Sequence, residues 1–135
     1  MKKKFIIGFC CATFLFIGIE IGFYFLNKPK YTLRLPEIET LESITIENKK
    51  IEDQAKMKEI LNILNKETRK TRLESIQDAP TNGSEKLQIN FHFIEQGAST
   101  IFVYKKKNDF YLEQPYNGIY KITEEEYEKI KEFVL

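Results

Sequence analysis

Leu87-Gln88-Ile89-Asn90-Phe91-His92-Phe93-Ile94 alternates apolar and polar residues along its length. Successive side chains of a strand point to opposite faces, so Leu87, Ile89, Phe91 and Phe93 share one side and Gln88, Asn90 and His92 the other. The residues that follow repeat this rhythm. Gln96-Gly97 is turn chemistry, Ser99–Lys105 runs back with Ile101 and Val103 inward, and Lys106–Asp109 turns into Phe110–Gln114. Tyr116-Asn117-Gly118 turns once more into Ile119–Ile122. Four strands joined by short Gly-, Asn- and Asp-bearing turns make an antiparallel meander.

Outward from the meander, helices flank the strands. Thr123-Glu124-Glu125-Glu126 has the form of a capping box, Thr at the N-cap and Glu three residues on. The helix it starts would bury Tyr127, Ile130, Phe133 and Val134. Upstream, Asp53 can cap a helix from Gln54 to about Lys66 whose Met57, Ile60, Leu61 and Leu64 recur at helical spacing. Tyr31–Leu35, stopped by Pro36, and Ser43–Glu47, with Ile44 and Ile46 inward, read as two more strands. Glu67–Glu85 is polar; Thr71–Ile76 suits an edge strand, and Asp78-Ala-Pro-Thr-Asn-Gly83 is loop chemistry. The expected domain is α+β, an antiparallel sheet of about five or six strands packed with two helices.

The N-terminus obeys a different pattern. Phe5–Leu26 is a run of 22 residues whose one charge is Glu20. As a helix it would span roughly 33 Å, enough to cross a bilayer's hydrocarbon core. Lys2, Lys3 and Lys4 precede it, which favours a cytoplasmic N-terminus, although Lys28, Lys30 and Arg34 beyond it nearly balance that bias. The run is long and ends in the bulky Phe23-Tyr24-Phe25-Leu26, which disfavours signal-peptidase cleavage, and Cys10 follows Phe9 with apolar residues continuing well past it, which disfavours lipoprotein processing. The expected organisation is residues 1–26 as cytoplasmic lysines and a transmembrane anchor, 27–30 as linker, and 31–135 as an extracytoplasmic domain. The linker reaches only about 14 Å when extended, so the domain stays at the membrane surface.

Within the anchor, Gly18 and Gly22 have the Gly-x-x-x-Gly spacing that lets helix backbones approach, which would make a homodimer through the anchor. Glu20 lies on nearly the opposite side, protonated or snorkelling in one reading and facing a partner helix in another.

Charge and chemistry narrow the function. Residues 1–30 carry +4 and residues 31–135 carry −3, so the domain has no electrostatic footprint for nucleic acid. Both cysteines are in the anchor, so the domain can hold neither a disulfide nor a cysteine metal site. His92 is the one histidine, there is no nucleophile elbow or phosphate loop, and Glu124–Glu126 is explained by the helix start. No enzyme, cofactor or metal is expected. The lysines 105–107 form a solvated turn or touch anionic lipids or wall polymers.

The second face of the meander is the candidate site. Phe102, Tyr104 and Tyr111 point away from the first face, and Tyr116 and Tyr120 lie in or beside the next turn. If both helices cover the first face, these aromatics stand open with His92 and Glu113 as a partner-binding face; if the helices are split, they are a second core.

Leu41-Glu-Ser-Ile-Thr-Ile46, Glu74-Ser-Ile-Gln-Asp-Ala-Pro80 and Glu113-Gln-Pro-Tyr-Asn-Gly-Ile-Tyr120, behind a lysine-led apolar span, resemble an uncharacterised family of short, single-pass, membrane-tethered proteins of Gram-positive bacteria. The resemblance implies an extracytoplasmic envelope protein and carries no activity. The expected function is a membrane-anchored binding or interaction domain whose partners are the lipid bilayer, through Phe5–Leu26, and an envelope protein or polymer. The alternatives are an immunity-like protein against a peptide toxin and an envelope hydrolase.

Overall fold

The computed structural model describes residues 2–26, 30–65 and 69–135. Helix α1 (Lys2–Leu26) is long and apolar enough to cross a membrane, and none of its most apolar stretch is buried against the rest of the chain. Residues 27–29 of the expected linker, and Lys66 at the expected end of the second helix, lie outside the described residues.

The main sheet has six strands, all antiparallel, in the order β3-β2-β5-β6-β7-β8. They are β2 (Leu41–Ile46), β3 (Lys49–Ile51), β5 (Ser84–Phe93), β6 (Ala98–Lys106), β7 (Asp109–Glu113) and β8 (Ile119–Ile122). The meander is present as the alternation required, and the fold is α+β. The hairpin β2–β3 adds an edge strand that was not expected, because Lys49-Lys50-Ile51 offers a single inward residue as its signal.

One sheet face is the apolar one. Ile44 pairs with Phe91 and Ile46 with Ile89; Ile89 pairs with Ile101, Val103 with Leu112, and Leu112 with Tyr120. Helices α2 (Gln54–Leu64) and α3 (Glu124–Glu132) supply Met57, Ile60, Leu64, Tyr127 and Ile130 to the same core. Leu61, Phe133 and Val134 pack at its margin, half-buried. Both helix starts follow from their caps. Asp53 accepts from the Lys56 amide, and Thr123 and Glu126 form the reciprocal capping box.

The two helix ends are joined by a pair that spans 57 residues of sequence. Arg69 donates to the Leu64 carbonyl at the end of α2 and forms a 2.7 Å ion pair with Glu126 at the start of α3. The Arg69 and Glu126 side chains are only 13% and 8% exposed. Burial alone would raise the Glu126 carboxyl, but the Thr123 amide and the Arg69 guanidinium together hold it below its ordinary value.

The segment after the linker departs from expectation. Only Tyr31–Thr32 (β1) is strand, and it pairs antiparallel with Lys70–Thr71 (β4) in a separate two-stranded sheet. Glu74 then makes an isolated bridge to Gly118, so Thr71–Ile76 is a bridge and a bend instead of one continuous edge strand. The polar segment from Arg72 to Gly83 forms a strap, and its course decides the second face of the sheet.

Candidate functional site

The turn Gln114-Pro115-Tyr116-Asn117 is where distant segments meet. The Asn117 amide donates to the Gln114 carbonyl at 3.0 Å, closing a turn with Pro115 at its second position. Tyr116 takes φ of 56°, the left-handed geometry that a type II turn demands at its third position and that Gly or Asn fills more easily. Its hydroxyl donates to Asp78 at 2.6 Å, and that bond pushes the phenol up from its ordinary value.

From this turn two amide side chains reach the chain beyond the anchor. Gln114 accepts from the Arg34 amide at 3.0 Å and donates to the Arg34 carbonyl at 2.7 Å. Asn117 donates to the Thr32 carbonyl at 2.8 Å. The strap docks on the other flank. The Ser75 amide donates to the Asn117 carbonyl, and the Ile119 amide to the Leu73 carbonyl. Residues 74–80 and 113–120 thus grip one another. No local pattern in the sequence joins the two stretches.

The strap closes over the second sheet face at Tyr104 and Glu113. Register puts Phe102 between Gln88 and Glu113, and Tyr104 beside Tyr111, as the alternation required. Yet Phe102 and Tyr104 are 8% and 3% exposed, so neither stands open to solvent. Glu113, expected on the open face, is 4% exposed. Its carboxylate accepts from the Ser75 hydroxyl at 2.6 Å and from the Tyr104 hydroxyl at 3.0 Å. Burial, and after it the neighbouring Glu113 charge, push the Tyr104 phenol far above its ordinary value. At Gly83 an added Cβ would lie 2.5 Å from the Tyr104 ring, so only glycine lets the strap's end run this close. Beneath the strap remains a cavity of about 170 Å³ lined by Ser75, Pro80, Tyr104 and Glu113 among others.

The five aromatics therefore do not form one patch. Tyr111 is half-buried and stacks on Tyr104, ring centroids 5.8 Å apart. Tyr116 is 68% exposed at the turn. Tyr120 belongs to the helix-covered core opposite Leu112, and burial pushes its phenol up to about 12 against the opposing pull of the Arg34 charge and the Asn117 bond. The open-face arrangement fails for Phe102, Tyr104 and Glu113 because all three are buried, and over Tyr104 and Glu113 the cover is the strap, which neither helix arrangement included. His92 is half-buried, with its Nε2 3.0 Å from the Thr45 hydroxyl. In α1, an added Cβ at Gly18 or Gly22 would meet no atom within 4 Å, so that side of the helix has room for a neighbour.

A larger concavity lies elsewhere, and no local pattern in the sequence marks it. A cleft of about 860 Å³ opens between residues 34–40 and the β5–β6 hairpin. Leu35, Pro36, Phe93 and Ile94 give it apolar walls; Glu37, Glu39 and Glu95 are exposed at its rim, and Gln114 lies at the wall where it clamps Arg34. No described lysine or arginine forms an ion pair with those three carboxylates. Antiparallel register puts the β5–β6 turn at the same end of the sheet as the Gln114–Gly118 turn, and the lysines 105–107 at the opposite end. The cleft therefore shares the end that is tied to the chain leaving the anchor.

The family model DUF5301, described as a domain of unknown function (DUF5300), matches residues 29–121. No curated protein and no solved structure matches the chain.

Proposed function

The chain belongs to the DUF5301 family, and from that premise, which brings no activity with it, we propose that it is a membrane-anchored, non-catalytic binding domain of the bacterial cell envelope. In this reading α1 is an uncleaved single-pass anchor with a cytoplasmic N-terminus, and residues 31–135 work outside the cytoplasm. The observation that carries the reading is that the apolar helix has no cover: none of its most apolar stretch is buried by the chain itself. A helix apolar on every side needs lipid or protein around it. The cleft supplies the binding capacity, an apolar concavity with a few polar groups at its edge.

A second reading, an immunity-like protein that intercepts a peptide toxin at the membrane, draws on the rim. With Arg34 also in the lining, three carboxylates leave the cleft net acidic beside its apolar walls, which complements a cationic amphipathic peptide. An envelope hydrolase has no such support.

The two halves of the reading separate in one experiment on wall-stripped cells. Added protease is expected to degrade residues 31–135 and leave the anchor; a protected domain would reverse the orientation. With a photoreactive residue at Ile94 or Glu37, crosslinks to a cell-surface component are expected, and a residue at Lys121 should give none. Equal labelling from all three positions would remove the cleft as the binding site.

A further inference from the structure

Three exposed apolar side chains lie close to where the chain leaves the anchor. Leu73 is 54% exposed, Ile76 69% and Tyr116 68%. Leu73 and Ile76 belong to the strap and Tyr116 to the turn it grips, so the bonds of Ile119 to Leu73 and Ser75 to Asn117 hold all three in one neighbourhood. That neighbourhood has a covalent tie to α1. Tyr31 follows Leu26 by five positions and pairs directly with Thr71, two residues before Leu73. Extended chain covers at most about 3.6 Å per residue, so Thr71 cannot stray far from the end of the helix. Arg72 closes the gap by donating to the Phe25 carbonyl at 2.7 Å.

We propose that this corner of the domain is a second membrane contact, with Leu73 and Ile76 seated in the interface of the same bilayer that holds α1 and Tyr116 beside them at headgroup depth. The inference rests on the anchor reading and is independent of what the cleft binds. Continuity with the anchor argues for lipid as the occupant. Tyr24 and Phe25 at the helix end form the aromatic level at which interfacial side chains sit. Lys30, Lys70 and Arg72 are exposed around it, suited to anionic headgroups. The two nearby acids are occupied: Glu74 lies against the Tyr31 hydroxyl, which it pushes up after burial does, and Asp78 accepts from Tyr116. A two-point attachment, helix and corner, fixes the tilt of the domain and holds the anchor-side end of the sheet, with its cleft, towards the membrane.

The chain has no tryptophan, so a single introduced indole reports its own depth. Full-length protein is reconstituted in phosphatidylcholine–phosphatidylglycerol vesicles, with and without bromine near the headgroup end of the acyl chains. The variants are Leu73→Trp, Ile76→Trp, Asn108→Trp in the exposed β6–β7 turn at the far end of the sheet, and Ile21→Trp in α1. Interfacial burial about 5–10 Å deep brings an indole against the shallow bromines. Emission from positions 73 and 76 is expected to fall by about twofold or more on brominated lipid, beside an unchanged Asn108→Trp. If Ile21→Trp is quenched while positions 73 and 76 behave like 108, the anchor stands and the second contact is overturned. If Ile21→Trp is also unquenched, the anchor reading falls and takes the contact with it.

Discussion

The two faces of the six-stranded sheet are covered by opposite means, one along the sheet and the other only around Tyr104 and Glu113. On one, α2 and α3 lay apolar stripes against Ile44, Ile46, Ile89, Phe91, Val103 and Leu112, all at most 1% exposed. On the other, a strap with one isolated bridge reaches the sheet through the Ser75 hydroxyl, which donates to Glu113, a carboxylate that also accepts from Tyr104. Apolar burial is non-directional and scales with area. A hydrogen bond is directional and small in net worth, yet costly when one partner is lost. The helix face should therefore carry the stability of the domain, and the strap face should carry a local structure that can open by itself.

The comparison breaks first if Phe91→Ala is mild. Phe91 is fully buried under the helices, and truncation of such a ring costs about 3–5 kcal/mol. That is a large share of the ~5–15 kcal/mol that holds a typical domain. Urea unfolding of the full chain in detergent should show a large fall in midpoint. A midpoint near wild type would move the core away from the helix face.

An intermediate effect belongs to Arg69 and Glu126, the one largely buried ion pair among the described residues. Glu126→Gln leaves Arg69 without its counter-charge and should cost about 2–3 kcal/mol, below the ~3–5 kcal/mol of a fully buried pair because both groups retain some solvent. The sign with pH follows from the lowered carboxyl. Its contribution is complete above the unfolded value of 4.5 and is lost as pH falls through the lower folded value. Unfolding midpoints of wild type and Glu126→Gln should converge on acidification below 4.5; parallel curves down to that limit would deny the pair its role.

What the sequence disclosed divides along the same line as the two faces. Period-two alternation from Leu87 to Ile122, the Asp53 cap and the Thr123–Glu126 box are local patterns, and each predicts its element from neighbours in sequence. The strap could not be read this way. Ser75 reaches Glu113 across 38 residues and Arg69 reaches Glu126 across 57, and no local periodicity announces either pairing. The buried aromatics were visible as a second apolar stripe, but their cover is polar by composition, so it read as loop. Likewise the cleft is built from two short stretches, 34–40 and 93–99, that become neighbours only when β2 pairs with β5.

The smallest global effect and the most direct test belong to Glu113→Ala, followed by hydrogen exchange amide by amide. Without the carboxylate, the Ser75 and Tyr104 hydroxyls lose their partner, and opening of the strap to water limits the cost to about 1–2 kcal/mol. As each 1.4 kcal/mol is a factor of ten, the Ser75 and Ile119 amides that join strap and turn should exchange about tenfold faster. Amides in the β2–β5 ladder at Ile44 and Phe91 should keep their protection within about twofold, as expected of a separately stable unit. Equal acceleration at all of these positions would contradict the account, because the two covers would then open as one.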